Sequence, residues 1–210
     1  FTRPGEIVAV SAFYKRFENP IERVIQTSTG NNSLSVQNVE EGRVYGLELE
    51  IRKSLDQLAG FLRDFRFGGN LSLVQSEVDI PEEELTVIRA ADPNTSTTRS
   101  LEGQSPFLAN LDLTYDNMKS GSVVSVYYNV FGKRLITVSE GAAPDIFERS
   151  RSTVDVIYSQ RLPGGVSMKI SAKNLLDSEV KTSQVLGNTE FIYGLYRTGR
   201  SFSLGFTYSL

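Results

Sequence analysis

SFSLGFTYSL, Ser201 to Leu210, sets Phe202, Leu204, Phe206, Tyr208 and Leu210 on one parity. Ser201, Ser203, Gly205, Thr207 and Ser209 take the other. An apolar side chain at every second position describes a β-strand with one greasy face and one polar face. The same period recurs along the chain. Tyr45, Leu47, Leu49 and Ile51 alternate with Gly46, Glu48, Glu50 and Arg52. Val166, Met168, Ile170 and Ala172 alternate with Ser167, Lys169, Ser171 and Lys173. A helix would scatter these charges over every face. The pattern predicts an all-β chain, an antiparallel up-and-down meander of about eight strands. They fall near 5–27, 35–54, 63–75, 106–116, 122–133, 152–160, 166–175 and 197–210. Pro20 cannot donate to a ladder, so ENPIERVI (18–25) is expected to bend the first of them.

The connections alternate in length. DNMKSG (116–121) and RLPGG (161–165) read as tight hairpin turns, and SLDQLAGFL (54–62) as a somewhat longer one. On the other side, 76–104 and 176–196 read as long loops and 134–150 as an intermediate one. Short turns at one end and long loops at the other suit an outer-membrane barrel.

Composition excludes several function classes. The chain has 210 residues, no cysteine and no histidine, and a formal net charge of −3. Disulfides, thiolate metal sites, zinc chemistry and Ser-His-Asp hydrolysis are excluded with those residues. No basic face invites nucleic acid. No constellation of an enzyme, cofactor site or metal site is present. No apolar run reaches the ~20 residues a spanning helix needs. Phe1 as first residue leads us to expect a segment of a longer protein.

The inferred polar face carries Glu48, Glu50, Arg52, Asp112, Asp155, Lys169 and Lys173. They suit either a packed ion network or an aqueous lumen, and the lumen avoids the cost of desolvation. Cross-strand pairing among them is the expected role. The opposite face is nearly free of charge over about ten residues per strand, the length of a transmembrane strand. Tyr115, Tyr158 and Tyr208 fall on the apolar parity near the short-turn end. They read as an aromatic girdle at a membrane interface, or else as core tyrosines. Eight antiparallel strands in an open sheet leave two bare edges, so the sheet is expected to close, to pair with further strands or to associate.

NVEEGRVYGLELEIRKSL (38–55), GQSPFLANLDLTYDN (103–117), VYYNVFGKRL (126–135), KNLLD (173–177) and GRSFSLGFTYSL (199–210) occur in that order. In order and spacing they resemble the C-terminal barrel half of TonB-dependent outer-membrane receptors. KNLLD followed by a loop and the terminal strand is the most specific part. The resemblance covers residues 1–210. It implies that these strands are the last part of a larger transmembrane β-barrel of about 22 strands, in the bacterial outer membrane. It also implies a plug domain and earlier strands not present here, coupling to the TonB complex, and uptake of a scarce ligand of the siderophore, cobalamin or glycan class. On that reading Phe202, Leu204 and Phe206 face outer-membrane lipid, with Tyr115, Tyr158 and Tyr208 in the girdle. Phe206, Tyr208 and Leu210 form a terminal strand read by the barrel-assembly machinery, with Leu210 standing where phenylalanine is usual. A soluble β-barrel or sandwich that binds a ligand, and a self-closed small outer-membrane barrel, are the alternatives.

PEEEL (81–85) lies in the longest loop and is expected to be a solvated charge run. No ligand-binding residue is assigned from the sequence.

Overall fold

The computed structural model describes residues 5–28, 31–141 and 143–209. Its elements, in chain order, are β1 (Ile7–Glu18), β2 (Ile21–Ser28), β3 (Asn31–Asn38), β4 (Glu41–Ser54), β5 (Phe65–Asp79), α1 (Glu82–Ala91), β6 (Thr98–Arg99) and β7 (Phe107–Asn117). They continue with β8 (Ser122–Phe131), β9 (Arg134–Ser139), β10 (Ile146–Glu148), β11 (Arg151–Arg161), β12 (Val166–Lys173), β13 (Val180–Leu186), β14 (Thr189–Tyr196) and β15 (Ser201–Tyr208).

The eight long strands form one antiparallel meander, β1-β4-β5-β7-β8-β11-β12-β15, with the short β6 attached to β5. Every expected strand is present. Neither sheet closes among the described residues, so β1 and β15 remain as edges.

The first two expected strands each divide in two. Asn19 takes a left-handed backbone (φ 52°) before Pro20, and the first strand bends there into β2. Its partner breaks at the same level into β3 and β4. The Val39 N–H donates to the Pro20 carbonyl at 3.0 Å and Asn19 N–H to the Glu40 carbonyl at 3.2 Å, so one long hairpin crosses the bend without losing register.

The segments read as loops are corrected most. A second, six-stranded sheet runs β14-β13-β10-β9-β2-β3 and is built from the upper hairpin and the long connections. Residues 134–150 supply β9 and β10, 176–196 supply β13 and β14, and 76–104 supply α1 and β6. The strongest missed signal is LGN at 186–188. Gly187 has φ 59° and turns a hairpin whose flanks, VKTSQV and TEFIYGLY, are rich in strand formers. β2 joins β9 in parallel through Val24–Val138 and Ile25–Ser139, a contact between segments over a hundred residues apart.

The packed core lies in this second layer. Val24, Leu135 and Val138 form its cluster with Phe147 against them, and Val39, Val78, Leu85, Ile146 and Val180 are buried elsewhere in the molecule. Among the described residues the long meander has no comparable core.

Candidate functional site

The register of the meander sorts most of its residues by face, with Lys53 opposite Phe67 at the turn end of the apolar face and Phe13, Leu108, Tyr127 and Ile157 on the polar one. One face carries Val8 to Tyr14, Tyr45 to Ile51, Phe65 to Leu73, Phe107 to Tyr115, Val124 to Val130, Val154 to Tyr158, Val166 to Ala172 and Phe202 to Tyr208, taking every second residue. Each of these positions is aliphatic, aromatic, methionine, alanine or glycine. One rung crosses six strands as Val8, Ile51, Gly69, Leu111, Tyr128 and Val154. Another crosses six as Phe65, Tyr115, Val124, Tyr158, Ile170 and Leu204. Among the described residues nothing covers this face at the edge strand, where Phe202 is 71% exposed and Leu204 61%. A continuous exposed apolar surface of this extent marks a contact with another apolar phase or partner.

Tyr115 and Tyr158 share a rung, and Phe65 extends it, with its ring centroid 5.1 Å from that of Tyr115. Their hydroxyls are engaged at the turn end. Tyr115 Oη accepts from Asn117 Nδ2 at 3.0 Å, and Tyr158 Oη donates to Gln160 Oε1 at 2.7 Å. Tyr208 stands opposite Val166, nearer the turn than the Tyr158 rung. At the loop end Tyr14 pairs with Tyr45 on the same face. Phe65, Tyr14 and Tyr45 are not placed in a girdle by the sequence because their level emerges only from cross-strand register. Leu210 lies outside the described residues.

The other face of the meander holds Glu48, Glu50, Arg52, Asp112, Asp155, Lys169 and Lys173. The expected ladder of alternating charges takes a different form. Arg52 pairs with Glu50 two residues away on its own strand, at 2.8 Å, and Glu48 accepts from Ser11 Oγ at 3.3 Å. The cross-strand ladder is made of amides. Asn110 Nδ2 donates to Asn70 Oδ1 at 2.8 Å, and Asn129 donates in turn to Asn110. Asp112 lies over Gly68, where any Cβ would occupy the space of its carboxylate. Asp155 Oδ1 accepts the backbone N–H of Asn174 at 2.8 Å.

That last bond belongs to the KNLLD segment. Asn174 and Asp177 take left-handed conformations, φ 53° and 48°. Asn174 Nδ2 donates to Thr198 Oγ1 at 3.2 Å and to the Gly199 carbonyl at 2.7 Å. Arg200 Nε donates to the Leu175 carbonyl at 2.9 Å. The motif ties the entry of β11 and the exit of β12 to the entry of β15.

The loop end holds two ionic clusters. PEEEL is not a loop but the cap and first turn of α1, and Glu84 turns inward rather than to water. Arg99 is bound by Glu84 of α1 and by Glu22 of β2, and Glu22 is fully buried. Burial opposes the charge on Arg99, but the two carboxylates outweigh it and hold the proton more firmly than usual. The second cluster centres on Glu190. Oε1 accepts from Arg149 at 2.5 Å and from Ser183 Oγ at 2.7 Å, and Oε2 accepts from Lys181 at 2.7 Å. Bonds from Lys181, Ser183 and Arg149 hold its pKa down at about 2. Among the described residues, no group of three or more carboxylates, histidines or cysteines is arranged to hold a metal ion.

An antiparallel meander with one mainly apolar face, extended at one end by folded loops, is the fold to be set beside known proteins. The family model for the TonB dependent receptor-like β-barrel matches residues 2–175. The chain belongs to that family. Solved receptors share the fold at low identity. The copper transporter OprC superposes with a TM-score of 0.63 at 15% identity over 97% of this chain and 28% of its own. The ferric-catecholate import receptor Fiu from K12 E. coli, in its closed form, gives 0.57 at 15% identity over 95% and 24%. A mutant of the ferric enterobactin receptor PfeA from Pseudomonas aeruginosa gives 0.58 at 13% identity over 99% and 29%. This chain therefore spans under a third of the length of each of these solved proteins. No curated protein matches it. Membership associates the chain with outer-membrane transport.

Proposed function

We propose that residues 1–210 are the closing strands of a transmembrane β-barrel, in a receptor that takes up a scarce ligand across the bacterial outer membrane. The observation that carries this is the apolar face that runs across all eight strands. A sheet in water must bury such a face against a second layer, yet among the described residues the packed cluster lies within the second sheet. A bilayer covers the face with no further protein. The apolar segments of β5 and β7, Phe65 to Leu73 and Phe107 to Tyr115, match a transmembrane strand of ~9–11 residues. Aromatic residues lie at both ends of the band, as at two membrane interfaces.

On this reading Phe202, Leu204 and Phe206 face lipid, and Tyr115, Tyr158 and Tyr208 sit at the periplasmic girdle. Glu48, Glu50, Arg52, Asp112, Asp155, Lys169 and Lys173 face the lumen. The open edges of β1 and β15 pair with strands of the remaining barrel. The plug domain, the TonB complex and the assembly machinery are partners of the whole protein, the last reading the terminal strand with Phe206, Tyr208 and Leu210. The chain itself is structural and carries no chemistry.

Expression of the full-length protein with a secretion signal, followed by membrane fractionation, tests the proposal. The expected result is recovery from the outer membrane only with detergent. Recovery of the folded protein as a soluble monomer would overturn it in favour of a soluble ligand-binding β domain. A structure in which these eight strands close on themselves would instead identify a small self-closed barrel.

A further inference from the structure

We propose that the turn between β4 and β5 is a membrane anchor, with Leu58 and Phe61 inserted into the periplasmic leaflet of the bilayer. The inference rests on the transmembrane reading above and adds to it a lipid contact outside the strands.

A turn that only reverses the chain is built from Gly, Pro, Asn, Asp and Ser. Residues 55–64 carry instead three leucines and a phenylalanine. They fold into two 3-10 turns, Leu55–Gln57 and Gly60–Leu62. The Leu58 N–H donates to the Leu55 carbonyl at 3.0 Å, and the Leu62 N–H to the Ala59 carbonyl at 2.9 Å. Leu55 and Leu62 are half-buried. Leu58 and Phe61 are held out, 75% and 81% exposed, more than Phe202 on the bare edge strand.

The polar face of the meander reaches this end as two cavities. One, of about 530 Å³, is lined by Ser54, Arg66, Asp116, Met118 and Lys119 among others, and one of about 360 Å³ by Arg52, Arg66, Gly68 and Asp112 among others. Neither Leu58 nor Phe61 lines either of them. The turn is fixed instead to the aromatic rung. Phe65, four residues after Phe61, stands in the rung of Tyr115 and Tyr158. The Asp116 N–H donates to the Asp64 carbonyl at 2.8 Å, and Asn117 Nδ2 donates to Asp64 Oδ2 and to the Tyr115 hydroxyl, both at 3.0 Å. Leu58 and Phe61 thus extend the apolar face past the girdle, and that continuity selects lipid as the occupant. Apolar and aromatic side chains at a membrane interface bury their bodies in the leaflet. Met118 is the contrast. It is as exposed as Phe61 but lines the polar-face cavity, so it stays in water.

Tryptophan substitutions in the full-length protein, reconstituted into phosphatidylethanolamine–phosphatidylglycerol vesicles, test the anchor. Brominated acyl chains quench from the lipid, and iodide on both sides of the membrane quenches from the water. The quantity read is the fluorescence that each substitution adds to the wild type. Phe61→Trp is expected to be quenched by bromine and spared by iodide, as is Leu204→Trp on the last strand. Met118→Trp should show the reverse. Leu58→Trp repeats the measurement if Phe61→Trp fails to fold, which its denaturation midpoint shows. Iodide quenching of Phe61→Trp as strong as that of Met118→Trp, with Leu204→Trp still quenched by bromine, would overturn the anchor and leave the transmembrane reading standing. Bromine quenching of Phe61→Trp but not of Leu204→Trp would do the opposite. Quenching by bromine at neither position would overturn both. Protection of Phe61→Trp from both quenchers would mean that protein covers the turn, and it too would overturn the anchor.

Discussion

Gly46 shows what a single position in the meander demands. A Cβ there would run into the Leu73 carbonyl and the Phe13 ring, and the carbonyl is backbone that cannot swing aside. Gly46→Ala should therefore destabilise the sheet by ~1–3 kcal/mol, the range for overpacking. Gly205→Ala, which meets nothing within 4 Å, should be neutral, and denaturation midpoints compare the two. Asp145 makes a different demand. Burial raises its pKa, and the Ser139 N–H bonding to Oδ1 at 3.0 Å opposes this only in part. With the folded pKa raised, the stability contributed by the protonated acid is present in acid and is lost as pH rises through the raised value. Asp145→Asn keeps the acceptor and removes the charge. It should match the wild type in acid and become the more stable protein towards neutral pH, as melts across that range would show. Neither effect was visible in the sequence, because each depends on what another strand places opposite the residue.

The folded loops are elements held by ions. Arg99 joins α1 to β2, segments separated by the whole of β4 and β5. Replacing it with Ala leaves Glu22 and Glu84 facing each other with no counter-charge, and breaking a buried pair in this way costs ~3–5 kcal/mol. Amide exchange should show α1 and β2 loosening while the β7–β8 rungs stay protected. The β13–β14 hairpin is held through Glu190, whose pKa is depressed from 4.5 to about 2. Its contribution is complete above the ordinary value and is lost as pH falls through the depressed one. Proteolysis of this hairpin should rise between those two values in the wild type, and Glu190→Gln should be susceptible already at neutral pH. The hairpin was partly legible in its Gly-Asn turn. The sheet it enters was not, since β13 pairs with β10 and β9 with β2 only after the chain has folded back on itself. PEEEL likewise read as a solvated charge run until Arg99 arrived opposite Glu84.

At the scale of the whole molecule, the apolar face makes its own prediction. Leu204→Lys places a charge on that face, at a cost of ~2–4 kcal/mol if the position lies at the bilayer midplane. Thr207→Lys, on the polar parity three residues away, should be tolerated. The ratio of folded to unfolded protein in outer-membrane extracts reads the difference, and equal yields would argue against lipid on that face. Alternation by itself determined the eight long strands, their up-and-down order, the two faces and the short-turn end. These follow from a period of two and from turn residues, both of which are local properties of the chain. Tertiary structure alone decided the second sheet, the inward turn of Glu84, and the shared rung of Phe65, Tyr115 and Tyr158. Each of these arises from register or contact between segments far apart in sequence, and no local periodicity encodes which distant residue will stand opposite.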